Sequence, residues 1–447
     1  MRRLCNLIQH HLKRHQRVNW ALADQSVVSG SNFITGILLA RFLGPEAFGL
    51  FVLLQSVILY VNSFQGALIF QPMMSAAPQL PEATRHPYLQ GVFALQLMLT
   101  FGLAAITMIL ALFADALFGF AGLHPSIVLA LVAALLGFQL QDWQRRYYFV
   151  QENVRGAFFI DIISYGGQAL LLLVASLSNH LSVASAFWII SVTAFSGFII
   201  GFSNHRLPPL FIHARSVLSD GWRAGRDYLA AWQFQLVGSQ GVFMVGAGVV
   251  GTQAVGGVRA TQNIVGPINI LFQAMENLVP IAAARHYSNE GLAGLCRFLW
   301  RITLLGTLCL LPVLLMLSLF ARPLVHALYG EQYLAFVSLV YWQAACVFIQ
   351  FYQRQTFFFL RTVKATSVVM RAGIVMAIVS LAVAVLTVHQ LQETGLMLAL
   401  LSGTGAALIY SMIAARNIAR QLAQELTNNA ESKQVSSADI IRRGVNI

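Results

Sequence analysis

The chain has 447 residues, of which 57% are hydrophobic and 10% charged, and its 28 Lys+Arg outnumber its 16 Asp+Glu to leave a net charge of +12. Soluble domains carry about 25% charged and about 45–50% apolar residues, so a basic nucleic-acid binder, a secreted disulfide scaffold and a disordered chain are all excluded. The apolar content is enough for about twelve membrane helices of about 20 residues each, which predicts an all-α polytopic membrane protein.

Segment 1–19 is basic (Arg2, Arg3, Lys13, Arg14, Arg17) and resembles the start of a signal peptide. The apolar run behind it is long and no small-x-small cleavage site follows, so that run reads as the first span. Apolar windows bounded by charge, Gly or Pro predict a first bundle over 20–203, with spans near 20–40, 47–72, 88–112, 124–148, 156–178 and 181–203. Short loops such as Gly44-Pro45 and Ser178-Asn179 join them. A cytoplasmic linker over 204–226 leads to a second bundle over 227–416, with spans near 228–249, 253–282, 294–320, 333–358, 366–388 and 395–415. A lightly structured polar tail is expected over 417–447, at the inner surface. Cys5, Cys296, Cys309 and Cys346 form no CxxC pair and read as packing residues, so no metal site or cofactor is expected.

An even number of spans puts both termini on one side. With both inside, 25 of the 28 basic residues fall in inner segments, leaving Arg41, Arg259 and Arg322 on the outer half. That bias is what the positive-inside rule predicts, and it gives a multi-pass membrane protein with both termini cytoplasmic. Most of the net charge is therefore explained by orientation.

The second half repeats the first at a shift of 207 residues: Gly44, Ala47, Gly49, Gln55 and Asn62 recur as Gly251, Ala254, Gly256, Gln262 and Asn269. Further on, Leu112-Phe113-Ala114 recurs as Leu319-Phe320-Ala321. At a shift of 209, Gln144-Arg145 is answered by Gln353-Arg354, and Arg155 by Lys364. The shift covers six spans, so the halves are expected as parallel six-helix repeats around a central cavity, the architecture of a transporter that rocks about a site at the repeat interface.

Polar side chains in hydrocarbon point to protein or to a wet cavity. Span 8 carries the longest polar stripe, with Arg259, Gln262, Gly266, Asn269, Gln273, Glu276 and Pro280 at steps of three or four, expected on one helical face. Span 2 carries Gln55, Asn62 and Gly66. Span 1 has a band including Asp24, Ser31 and Asn32, and span 7 has Gln235, Gly238, Ser239 and Gln240. Spans 1, 2, 7 and 8 thus form a polar quartet that either packs through interhelical amide bonds or lines a cavity for a hydroxyl-rich solute. Arg259 either binds an anionic group such as phosphate or snorkels to the outer interface. Asp24 and Glu276 either couple transport to ions, snorkel to the interface, or pair with nearby arginines. Arg145 and Arg146, with Asp142, and Arg354 are basic groups at the expected cytoplasmic mouth that either gather phosphate or set topology.

The stretch Ala40-Arg41-Phe42-Leu43-Gly44-Pro45-Glu46-Ala47-Phe48-Gly49-Leu50 resembles the A-R-x-L-G-P-x-x-Y/F-G signature of Wzx-like polysaccharide and O-antigen flippases. Leu328-Tyr329-Gly330-Glu331-Gln332-Tyr333 is similar to the same family's F-G-x-x-Y turn before span 10. The resemblance, which covers about residues 20–415, implies the two-bundle fold shared with lipid II flippases and multidrug-and-toxin exporters, and a cavity lined by spans 1, 2, 7 and 8. It implies export of an undecaprenyl-diphosphate-linked oligosaccharide repeat unit by alternating access. The implied partners are that polyprenyl-diphosphate-linked glycan, the lipid bilayer, a polysaccharide polymerase and a chain-length regulator. In lipid II flippases several of these helices carry arginines; here the repeat-mate of Arg259 is Val52, a departure from any symmetrical diphosphate clamp. A cation-coupled multidrug exporter on the same fold and a membrane polysaccharide polymerase or ligase are the alternatives. The chain has no GxxxxGK[ST] motif that would point to ATP hydrolysis.

Overall fold

The computed structural model describes residues 2–113, 124–203 and 214–444, and every regular element among them is helical. In chain order these are α1 (Arg2–Gln65), α2 (Gln71–Ala76), α3 (Glu82–Leu112), α4 (Pro125–Val150), α5 (Val154–Asp161), α6 (Gly167–Leu177), α7 (Val183–Phe202), α8 (Ala214–Val250), α9 (Thr252–Ile264), α10 (Ile268–Leu319), α11 (Ala321–Tyr329), α12 (Ser338–Thr362) and α13 (Thr366–Gly444). π turns over Gly66–Phe70 and Ile162–Gly166 join α1 to α2 and α5 to α6.

Seven of the described helical stretches are long and apolar enough to cross a membrane. At about 1.5 Å per residue against a hydrocarbon core about 30 Å thick, α1, α10 and α13 are each too long for one crossing. Each is broken internally, at Gly44, Gly291 and Gln392 respectively. Those breaks fall in the gaps expected between spans 1 and 2, 8 and 9, and 11 and 12. The segment expected as a lightly structured tail instead continues α13 as helix to Gly444.

Gly44 (φ 80°, ψ 167°) and Gly251 (φ 91°, ψ 171°) hold the same conformation, one that side-chain-bearing residues rarely adopt. It lets the chain leave one helix and enter the next within a single residue, and the two glycines are 207 residues apart. The helices that follow cross at Gly49 and Gly256, another pair at the same shift. A methyl group on Gly49 would run into the Thr252 carbonyl oxygen, and one on Gly256 into the Pro45 carbonyl oxygen. Such reciprocity, with residue 49 on 252 and residue 256 on 45, is the pattern of a two-fold contact. A second matched crossing sets Gly197 against Ser164 and Gly403 against Ser380. In lipid, where tails are as apolar as leucine, this close approach of small residues is what holds helices together.

The apolar packing differs at the two ends of the molecule. Near the Gly49–Gly256 crossing one cluster joins both halves, with Leu39, Phe51 and Val52 packed together with Val242, Phe243, Val255 and Leu339. At the opposite end the clusters are separate. Ile69, Phe70, Trp143 and Tyr147 form one, while Val279, Ala283, Leu295 and Phe358 form another. The main contacts of α10 lie within the second half, on α12, α11 and α13, whereas α9 packs broadly on α1. On the other flank α8 stays against the first half, with Gln233 Nε2 donating to Ser63 Oγ at 2.7 Å and Trp232 seated on Gly66. The halves therefore share one apolar core at one end and hold separate apolar clusters at the other, where α10 packs within its own half, an arrangement that suits a cleft between α1 and α10.

Candidate functional site

The closed end of the cleft is latched by polar contacts between the halves. Arg41 Nη1 donates to the Ala327 carbonyl at 2.6 Å, and Gln332 Nε2 donates back to the Arg41 carbonyl at 3.0 Å. Deeper in, Asn263 donates to the Phe33 carbonyl at 3.3 Å across the halves, and within the second half Tyr329 donates its hydroxyl to the Ala260 carbonyl at 3.1 Å. The family-like segments around Arg41 and Gln332 thus form a joint.

At the open end the mouth arginines are engaged internally. Arg145 lies 2.6 Å from Asp24 and 2.5 Å from Asp161, so one guanidinium ties α1, α4 and α5 together. Gln141 Nε2 donates to the other Asp161 oxygen at 2.8 Å. Arg146 sits 3.6 Å from Asp142 one turn away. In the second half Arg354 and Arg361 flank Glu276 at 3.1 and 2.7 Å. Asp24 and Glu276 thus take the arginine-paired option of the sequence reading. Arg145 and Arg354, the repeat-matched pair, are each balanced by carboxylates rather than displayed as free cations.

The span 8 stripe is not one continuous face. Pro267 has no N–H to donate, and Val265–Pro267 forms a turn that ends α9 and begins α10. The break corrects the expectation of a single helical face. Arg259 and Gln262 stay on α9, with Arg259 Nη1 donating to Gln262 Oε1 at 3.1 Å. Asn269 and Gln273 on α10 are exposed, and Glu276 turns to the arginines of α12. On α1, Gln55 and Asn62 are half-buried, Ser31 is buried and Asn32 is exposed. Gln55, Asn62, Asn269 and Gln273 make no side-chain hydrogen bond among the described residues. The amides that do bond between halves are others: Gln240, which accepts from Ser56 Oγ at 3.0 Å, Gln233, and Asn263 and Gln332 at the closed end. The side chain of Gln235 lies outside the described residues.

Arg259 and Gln262 line a pocket of about 120 Å³ together with Ser239, Gln240, Gln343 and Gln350. Its remaining lining is Phe243, Cys346, Met376, Leu400 and Thr404, so the pocket lies within the second half and contains no carboxylate. Among the described residues no acid pairs with Arg259. Sequence reasoning missed Gln343, Gln350 and Asp161. Gln350 stands 209 residues after Gln141, and Asp161 is the lone acid inside span 5, so both carried a signal.

Comparisons with known proteins agree with this architecture. Residues 38–338 match the family model described as polysaccharide biosynthesis protein. A search of curated proteins by sequence returns no significant match. Among solved structures, the chain is similar to the inward-facing conformation of a multidrug resistance MATE family transporter of the MOP superfamily. That alignment has 15% identity over 90% of this chain and 96% of the other, with a TM-score of 0.74. It is also similar to the lipid II flippase MurJ in an inward closed conformation, at 10% identity over 89% and 87% of the two chains and a TM-score of 0.66. The neighbours are transporters and a flippase. With more than half its length matched by the family model, the chain belongs to the polysaccharide biosynthesis protein family, and it carries the multi-pass helical fold of the MOP superfamily.

Proposed function

We propose that this protein is a flippase that moves a polyprenyl-diphosphate-linked oligosaccharide repeat unit from the cytoplasmic to the outer leaflet of a bacterial inner membrane. The observation that carries the reading is the cleft. A joint core closes one end, the apolar clusters are separate at the other, and in this reading it is bordered by Gln55, Asn62, Asn269 and Gln273, which make no side-chain hydrogen bond among the described residues. Unbonded Gln and Asn side chains suit sugar hydroxyls, which both donate and accept. The packing role for the same stripe needs interhelical bonds, and those are made by other amides. The polyprenyl tail stays in lipid through the gap between α1 and α10, while Arg259 offers its charge to the incoming phosphate. The rocking unit is two six-span repeats, twelve spans in all, with 25 of 28 basic residues inside. The glycan is expected to pass afterwards to a polymerase and its chain-length regulator.

A drug-cation exporter on this fold calls for carboxylates left uncompensated in the cavity. Here Asp24 and Asp161 share Arg145, and Glu276 is held by Arg354 and Arg361. Ion coupling through Asp24 or Glu276 would require these pairs to open during the cycle.

Deletion of the gene is expected to accumulate lipid-linked repeat units in the inner leaflet and abolish the surface polysaccharide; normal polysaccharide in a strain without a redundant exporter would overturn the proposal. At equal expression, Arg259→Ala is expected to impair export, whereas Arg322→Ala, outside the pocket, leaves it near wild type. The double change Gln262→Leu with Asn269→Leu is expected to reduce export without loss of folded protein. Unchanged export in that variant would return the stripe to a packing role.

A further inference from the structure

The pocket around Arg259 poses a charge problem of its own. A guanidinium inside a membrane protein is costly unless a counter-charge or a wet cavity meets it, and the pocket supplies no acid. Two of its four lining amides, Gln240 and Gln262, have their acceptor ends taken. Gln240 Oε1 accepts from Ser56, and Gln262 Oε1 accepts from Arg259 itself. The amide ends left for the cavity by these two residues are therefore their NH₂ donors. Gln343 is 6% exposed, lines the same pocket, and its Oε1 has no hydrogen-bond partner. Rotating that amide by half a turn is nearly isosteric and presents another donor. A cation and converging donors, with no carboxylate, define a space that an acceptor-only, negatively charged species completes.

Size narrows the occupant. About 120 Å³ is the volume of about four liquid waters at about 30 Å³ each, room for a small anion with two or three waters; a whole oligosaccharide headgroup is larger. We propose that this pocket is a binding site for a small inorganic anion of chloride size and charge, held by Arg259, Gln240, Gln262 and Gln343. The anion neutralises Arg259 while no lipid diphosphate is bound, and the phosphate of an incoming substrate competes for the same guanidinium. The competition rests on the flippase reading; the anion site itself does not. It gives the protein an inorganic counter-ion inside its second half that is exchanged for substrate charge as cargo loads.

The test is thermal unfolding of the purified full-length protein in detergent, titrated with sodium chloride or bromide against sodium gluconate at constant ionic strength. A saturable rise in melting temperature is expected with either halide, retained by Arg322→Ala and lost in Arg259→Gln. Crystals of the unaltered protein soaked in bromide are expected to show anomalous density in contact with the Arg259 guanidinium, a readout independent of any variant's folding. Farnesyl diphosphate, the probe for the lipid-phosphate source of the same chemistry, is expected to diminish the halide-dependent shift. No halide effect and no bromide density would overturn the anion site while leaving the flippase reading to the leaflet assay. Stabilisation by farnesyl diphosphate alone would assign the pocket to substrate phosphate and overturn the inorganic anion. A halide shift that farnesyl diphosphate leaves untouched would overturn the exchange.

Discussion

Arg145→Ala is expected to destabilise the detergent-solubilised protein by about 3–5 kcal/mol, the scale for removing one partner of a buried ion pair. Asp24 and Asp161 are 1% and 0% exposed, so without the guanidinium two buried carboxylates would lose their counter-charge, with water reaching them only from the side where Arg145 is 15% exposed. Arg146→Ala is the control. Its side chain is 36% exposed and its carboxylate neighbour is 3.6 Å away, so the expected loss is within about 1 kcal/mol. Combining Arg145→Gln with Asp24→Asn and Asp161→Asn removes all three charges and is expected to recover a large part of the loss, because neutral amides cost less to bury than unpaired charges. Equal melting temperatures for Arg145→Ala and Arg146→Ala would show that the three-helix bridge does not hold the first half together.

Gly49→Ala and Gly256→Ala are expected to open the closed end. Each added methyl meets a backbone carbonyl oxygen of the opposing helix, an obstacle that cannot swing aside as a side-chain tip can. Overpacking of this kind costs about 1–3 kcal/mol, spent on separating α9 from the part of α1 after Gly44. If the closed end must re-form in every transport cycle, export at equal expression falls by at least about tenfold, the effect of about 1.4 kcal/mol on a rate. The structural readout is cross-linking of the Arg41→Cys, Gln332→Cys pair by a short bifunctional thiol reagent. It is expected to be efficient in the parent and lost with either glycine change. Full cross-linking and full export in Gly49→Ala would show that the crossing tolerates a side chain and does not set the closed state.

Much of the fold was legible before any coordinate, for reasons tied to particular residues. Apolar windows must be long enough to cross the bilayer, so their ends could be read, and the internal breaks at Gly44, Gly291 and Gln392 lie where spans were expected to end. Gly44 and Gly251, like Gly49 and Gly256, stood out by recurring at one shift; the first pair is required by a backbone conformation few residues can take, the second by the close approach of two helices. The site was less legible. Helical periodicity told which side of span 8 is polar but not what that side faces, and the turn at Gly266-Pro267 divides it between an interior pocket and an open cleft. Charge counting placed Arg145 at an inner helix end, yet could not show that Asp24, 121 positions away, neutralises it. Val52 as repeat-mate of Arg259 already signalled that the halves differ in charge.

What the sequence determined alone was the solvent, a membrane; it also carried a repeat at 207 residues and a basic bias from which spans and an orientation were expected. Those properties follow from local composition, because hydrocarbon demands that each spanning segment satisfy its own backbone and carry an apolar surface. Only the tertiary structure decided which charges cancel and which remain. Three acids that looked like coupling groups or went unnoticed are held by arginines from other helices, while Arg259 is left facing amides. Electrostatic pairing acts between side chains within a few ångströms, whatever their separation in sequence, so a net charge of +12 predicts an orientation but not that Arg259 lines a pocket without a carboxylate.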